Sequence, residues 1–311
     1  MGITLGPGLT IIGGVTFEPG PPPERGVFGG GYTTDYVNVI DYVIIATQGN
    51  ATDFGDLTAI TGDLAACASD VRGLFGGGIA AATTNVIEYV TIATAGNATD
   101  FGDLTTARYS LASCSSSTRG LFAGGFNLAS LNNTAVIGYV TIASAGNATN
   151  FGSLSIARNS LAACSSSTRG LFAGGGNPNT NVIEYVTIAT TGNTTDFGDL
   201  TAAKKSLAGC SSATRGLFAG GTGQTNVIEY VTIATTGDAI DFGDLTVGAE
   251  SLAACSSATQ GLFGGGSAPG GRTNVISYVT IASAGNATDF GDLTTARDGL
   301  AACSNAHGGL Q

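Results

Sequence analysis

Positive charge is scarce in this chain. Its 311 residues hold 11 Lys and Arg against 22 Asp and Glu, a formal net charge of −11. So few cations cannot neutralise a run of phosphates, which argues against a nucleic-acid-binding or anionic-membrane surface. Histidine occurs once, as His307 near the end of the sequence, with no nucleophile beside it to make a catalytic dyad. The GxSxG, Walker, HExxH and CxxC patterns do not occur, and the sequence reads as non-enzymatic. Long apolar runs are also lacking. NVIEYVTIA at 181–189 is typical of the longest, far short of the ~20 residues of a membrane helix, so no membrane insertion is expected. No apolar stripe of helical period lasts beyond two turns. Residues 1–24 have neither a basic start nor a continuous apolar block, so a secretory signal is not expected.

What is present is glycine and short strand-like runs. The 50 glycines keep no every-third-residue period, which excludes collagen, and a hydrophobic content of 43% excludes a disordered polyanion. Residues 1–24 read as an extended Gly/Thr arm ending in a stiff Pro-rich stretch at 19–23, a segment suited to attaching the rest of the chain to something else.

From Arg25 onward the chain repeats. Aligned on Arg-Gly-hydrophobic-Phe, units begin at Gly26, Gly73, Gly120, Gly170, Gly216 and Gly261, at spacings of 47, 47, 50, 46 and 45 residues. Periods of this size fit helical solenoids or propeller blades. Each unit holds four short runs, such as SLAACSS, GLFAGG, NVIEYVTIA and TDFGDL. The third is rich in Val, Ile, Tyr and Thr and is closed by a Gly-Asn turn. Double glycines end the second, where a helix would break. The expected fold is all-β: a six-bladed β-propeller of four-stranded blades over residues 25–311. The chain enters at a second strand and leaves after a first-strand segment at 300–304, which is expected to complete blade one and close the ring.

The repeat resembles the kelch family. The carriers are the double glycines, from Gly30–Gly31 to Gly265–Gly266, and a tyrosine in each third strand (Tyr42, Tyr89, Tyr139, Tyr185, Tyr230, Tyr278). The kelch fourth-strand Trp is replaced by Phe54, Phe101, Phe151, Phe197, Phe242 and Phe290, and the kelch Arg survives as Arg108, Arg158 and Arg297, with Lys204 in one unit. The near-verbatim units RGLFAGG and NVIEYVTIA, together with the Gly/Thr lead, also resemble kelch-type proteins of tailed, particularly marine, phages. That likeness implies a virion protein of the tail or fibre, bound to other virion proteins through the N-terminal arm.

Three features recur in every unit or nearly so. TDFGDLT or a close variant occurs six times, as TNFGSLS in the third unit and IDFGDLT in the fifth. Its acids are expected to blunt an outer strand edge while the Phe turns inward; calcium held with the help of neighbouring carbonyls is the lesser reading. Cys67, Cys114, Cys164, Cys210, Cys255 and Cys303 fall one per unit in the innermost strand. They are expected to be buried thiols too far apart around the ring for disulfides. Asn50, Asn97, Asn147, Asn193 and Asn286 make Asn-x-Thr at one turn, which Asp238 occupies in the fifth unit. Turn chemistry fits that exchange and glycosylation does not.

An up-down-up-down blade puts the second-to-third loops and the blade-to-blade links on one face. Those loops differ in length and sequence (32–38, 79–85, 126–135, 176–181, 222–226 and 267–274), while the opposite turns are nearly constant. A rigid scaffold with one diversified face suits recognition. Candidate ligand contacts there are Tyr32, Tyr36, Arg108, Tyr109, Phe126, Arg158, Lys204 and Arg297; the competing reading has the basic residues capping blade carbonyls. The function expected is attachment or recognition of a host-surface glycan or receptor by a virion component. The alternatives are a cellular kelch-type protein-binding module and a propeller enzyme acting on glycans, the latter if acids and a base converge at one mouth of the channel.

Overall fold

Alternation along each strand decides the architecture. In the second strand of a unit, Arg25–Gly29 or Arg169–Ala173, every residue after the first is buried, as in a strand covered on both faces. The outer strand, Thr52–Asp56 or Thr195–Asp199, buries only its Phe fully, as an edge must. In the computed structural model, which describes residues 23–310, these strands form a six-bladed β-propeller of antiparallel four-stranded sheets.

Ring closure follows the expected route. Ala301–Ser304 pairs with Arg25–Gly29, placing Cys303 opposite Val27 and Ser304 opposite Gly26, and the sheet continues through Val39–Ile44 to Thr52–Asp56. Residues 1–22 of the expected arm lie outside the described residues.

The core lies in wedges between blades. One wedge joins Val27, Ile40, Phe54 and Cys303 of blade one to Phe75, Val90 and Ile92 of blade two; another joins Phe28 and Val43 to Leu262 and Phe290 across the closure. Each outer-strand Phe packs edge-on against the Tyr of its own third strand, at 5.8 Å for Tyr42–Phe54. The glycine of each second strand faces a thiol of the preceding blade. A Cβ on Gly120 would stand 2.7 Å from Cys67 Sγ, and one on Gly26 would stand 2.6 Å from Cys255 Sγ. All six cysteines are free and buried, and burial pushes the Cys114 thiol up to about 12. The thiols are therefore packing knobs in glycine holes.

The recurring Phe-Gly segment joins neighbouring blades through its backbone. The Gly in TDFGDL sits at a bulge, with φ of 143° at Gly55, where the register slips between Ile40 and Asp41. That slip turns the next amide outward to the neighbouring blade. Asp56 N–H donates to Asn97 Oδ1 (3.1 Å), and Asp292 N–H donates to Asn50 Oδ1 (3.1 Å) across the closure. Asp238 accepts from Asp199 N–H at 3.0 Å in the same way. The asparagines of the Asn-x-Thr turns are thus inter-blade staples, and any side-chain carboxyl or amide oxygen of that length serves.

Candidate functional site

The two faces of the ring are built differently. On the face of constant turns, Arg72 stacks over Tyr89 (4.7 Å) and donates to the carbonyls of Ile142 and Ala143 in the next blade. Arg25, Arg119, Arg169 and Arg215 repeat the arrangement. Gln260 stands in this place at the closure, and there Gln48 Nε2 donates to the Tyr278 hydroxyl (2.5 Å). His307 and the segment Gly308–Leu310 plug the axis on this face. Gly308–Leu310 forms a 3-10 turn over the inner strands, and His307 Nδ1 accepts from Gly309 N–H (3.1 Å). That bond leaves the proton on Nε2, which lies 3.0 Å from the Ala68 carbonyl. Behind the plug lies an axial cavity of about 50 Å³ lined by Ala, Cys and Ser of all six inner strands.

On the opposite face, the basic candidates are not ligand contacts. Arg108, Arg158, Lys204 and Arg297 are 0, 1, 5 and 0% exposed. They turn back into the sheet because the link they occupy folds under the third strand, where buried carbonyls and acids need partners. Arg297 pairs with Asp41 (3.1 Å) and donates to the Phe28 carbonyl; Arg158 pairs with Glu184 (2.6 Å), and Lys204 pairs with Glu229. Arg108 reaches the carbonyls of Val136 (3.0 Å) and Phe122 (3.1 Å) with no acid beside it, because Gly138 stands where four of the other blades have Asp or Glu and the sixth has Ser277. The capping alternative is therefore the correct one for all three arginines.

The aromatic candidates are half-buried on the variable face and fall into two pairs. Tyr32 meets Tyr36 edge-on at 5.1 Å, and Tyr109 meets Phe126 at 5.6 Å. Two of the loops fold into small hairpins, Phe126–Asn127 with Asn132–Asn133 and Ser267–Ala268 with Gly271–Arg272. Leu131, at the first hairpin's tip, is 70% exposed, and Ile60, Leu128, Ile156 and Val247 are exposed on the same face.

Sequence reasoning missed the centre of this face. Asp63, Ser110, Ser160, Ser206, Ser251 and Gly299 open the six inner strands, all with φ between 52° and 60°. Each donates its N–H to the carbonyl of the preceding member, from Asp63 to Gly299 (2.6 Å) round to Gly299 to Ser251 (2.9 Å). This closed ring of backbone bonds fixes the mouth, about 80 Å³ in volume. Asp63 alone carries a charge in the ring. Burial, then nearby Asp298, pushes its carboxyl up from 3.8 to about 6. Beside it a cleft of about 280 Å³ is lined by Tyr32, Tyr36, Gly62, Asp63, Ser251, Asp298 and Gly299. Arg272 closes one side, paired with Asp298 (3.1 Å) and lying 4.4 Å over the Tyr32 ring. The signal was available: Asp63 is the odd member of an aligned column of Ser and Gly.

Compared with known protein families and with curated proteins, the chain matches no family model and no relative.

Proposed function

We propose that this chain is a kelch-like attachment propeller of a tailed-phage virion, located at the tail or fibre, non-enzymatic, and recognising its target with the variable face. The observation that carries this reading is the place of Pro23, the first described residue, on the opposite face. Pro23 accepts from Asn305 Nδ2 beside the plug, on the face of constant turns. An arm anchored there to other virion proteins leaves the six variable loops pointing away, with their aromatic pairs and exposed Leu131 available to a host-surface glycan or receptor. Cryo-electron microscopy of intact particles tests it: propeller density with its loops facing outward is expected, and its absence from every particle overturns the reading. Shortening the 126–135 loop is expected to weaken binding to host cells.

A glycan-directed enzyme is the second reading. Asp63 and Asp298 meet at one mouth, with one carboxyl held near 6 as a general acid requires. Release of reducing sugar from host polysaccharide, abolished by Asp298→Asn, would establish it over the first.

A further inference from the structure

The mouth of the variable face carries a charge that the chain does not neutralise. Asp298 has Arg272 at 3.1 Å. The Asp63 carboxylate has no hydrogen bond or ion pair among the described residues, although it is half-buried and lines both the axial mouth and the adjoining cleft. Five equivalent positions manage with Ser or Gly, so the backbone ring does not need a carboxylate. A half-buried carboxylate with no counter-charge is partly desolvated and disfavoured in its ionised form, and a ligand bearing positive charge offsets that cost where a neutral polyol does not. The cleft's volume accommodates a small organic group. Of its tyrosine walls, Tyr32 already carries Arg272 on its ring, and Tyr36 favours an organic cation over a bare ion, since aromatic rings attract ammonium groups.

We propose that the cleft formed by Tyr32, Tyr36, Asp63 and Asp298 binds a primary ammonium group, the chemistry shared by a lysine side chain and an amino sugar, with Asp63 as its counter-ion. The proposal rests on the variable face being the recognition face and names the chemistry it selects. The groups facing Asp63 are Asp298 from its own blade's neighbour, Tyr36 and Tyr32 from the loop above, and Arg272 behind Asp298; Tyr109 stands beyond Tyr36. Burial pushes the Tyr36 hydroxyl up, so it stays neutral as a donor or acceptor. Binding needs Asp63 ionised, and therefore weakens as pH falls through about 6.

Calorimetric titration of the full chain with N-acetyl-lysine methylamide, glucosamine and glucose tests this. The two amines are expected to bind near ~1 mM at pH 7.5, as suits ligands of so few atoms, with glucose at least about tenfold weaker. Asp63→Asn is expected to weaken the amines by at least about tenfold and to remove the pH dependence; Asp63→Ser, the residue of four other blades, guards against a folding defect. Binding of the lysine derivative alone identifies a protein partner, and of glucosamine alone an amino sugar; either supports the ammonium chemistry. Glucose binding as tightly as glucosamine, no amine binding, or unchanged affinity in Asp63→Asn overturns it. A chain that occupies particles without binding amines defeats this inference alone, and one that binds amines but is absent from particles defeats the attachment reading alone.

Discussion

Gly138→Glu should stabilise this protein, against the usual expectation for a charge placed in a core. Blades one, four and five pair a buried cation with an acid on the third strand: Arg297 with Asp41, Arg158 with Glu184, Lys204 with Glu229. Blade three keeps the cation, Arg108, and has lost the acid. Burial pulls Arg108 from 12.5 to about 10, equivalent to ~3 kcal/mol against its charged form, a penalty fully present at any pH below about 10. The site has room. A Cβ on Gly138 would meet nothing nearer than 3.6 Å, and its φ lies outside the left-handed range. The Thr105 amide stands where Ser155 N–H reaches Glu184 in blade four (2.9 Å), so the new carboxylate finds a second donor. Desolvating the glutamate offsets much of the gain, while replacing a strand glycine adds ~0.5–1 kcal/mol. A net gain of ~1–3 kcal/mol is expected, raising Tm by ~2–4 °C per kcal/mol or somewhat less in a chain this long. Thermal denaturation should be run with Gly138→Gln, which matches shape without charge, and with Arg108→Met in a double-mutant cycle. If Glu is no better than Gln, or the cycle shows no coupling, Arg108 is not short of a counter-charge and the pairing argument fails.

Other outcomes follow from the same geometry. Thr61→Arg should stabilise blade two, because Glu88 is the complementary orphan: burial raises its carboxyl and its bond is to Thr58 N–H, with no cation on it. Chemical denaturation should show the gain growing as pH rises above the ordinary glutamate range, since a raised acid destabilises the fold only once it must ionise. Asn97→Ala should cost ~1 kcal/mol or less by removing the bond to Asp56 N–H, whereas Asn97→Asp should be nearly neutral, as Asp238 already is in blade five; equal losses in calorimetry would refute the staple. His307 is held below 6.5 by burial, so the folded chain binds fewer protons than the unfolded one beneath that pH. Wild type should therefore lose stability relative to His307→Gln as pH drops below 6.5. Asp63, whose raised carboxyl gives the opposite slope, is common to both and cancels.

The repeat alone determined the blade count, the strand order, the outer position of TDFGDL and the closing role of Ala301–Ser304. These were legible because six imperfect copies of one unit reveal which positions a blade needs, and because strands, double glycines and turns are local properties of the chain. The direction of a long side chain is not local. Arg108, Arg158 and Arg297 occupy a link on the variable face, and only the packed sheet shows that their guanidinium groups fold beneath it to reach Phe122, Phe172 and Phe28 carbonyls. Nor does the alignment bring Asp63 to Asp298, which stand at opposite ends of the propeller sequence. Ring closure makes them neighbours, because the last inner strand returns to blade one and the next inner strand begins beside it. What a blade contains is written in its own residues. What surrounds the mouth depends on which blades the closed circle sets side by side.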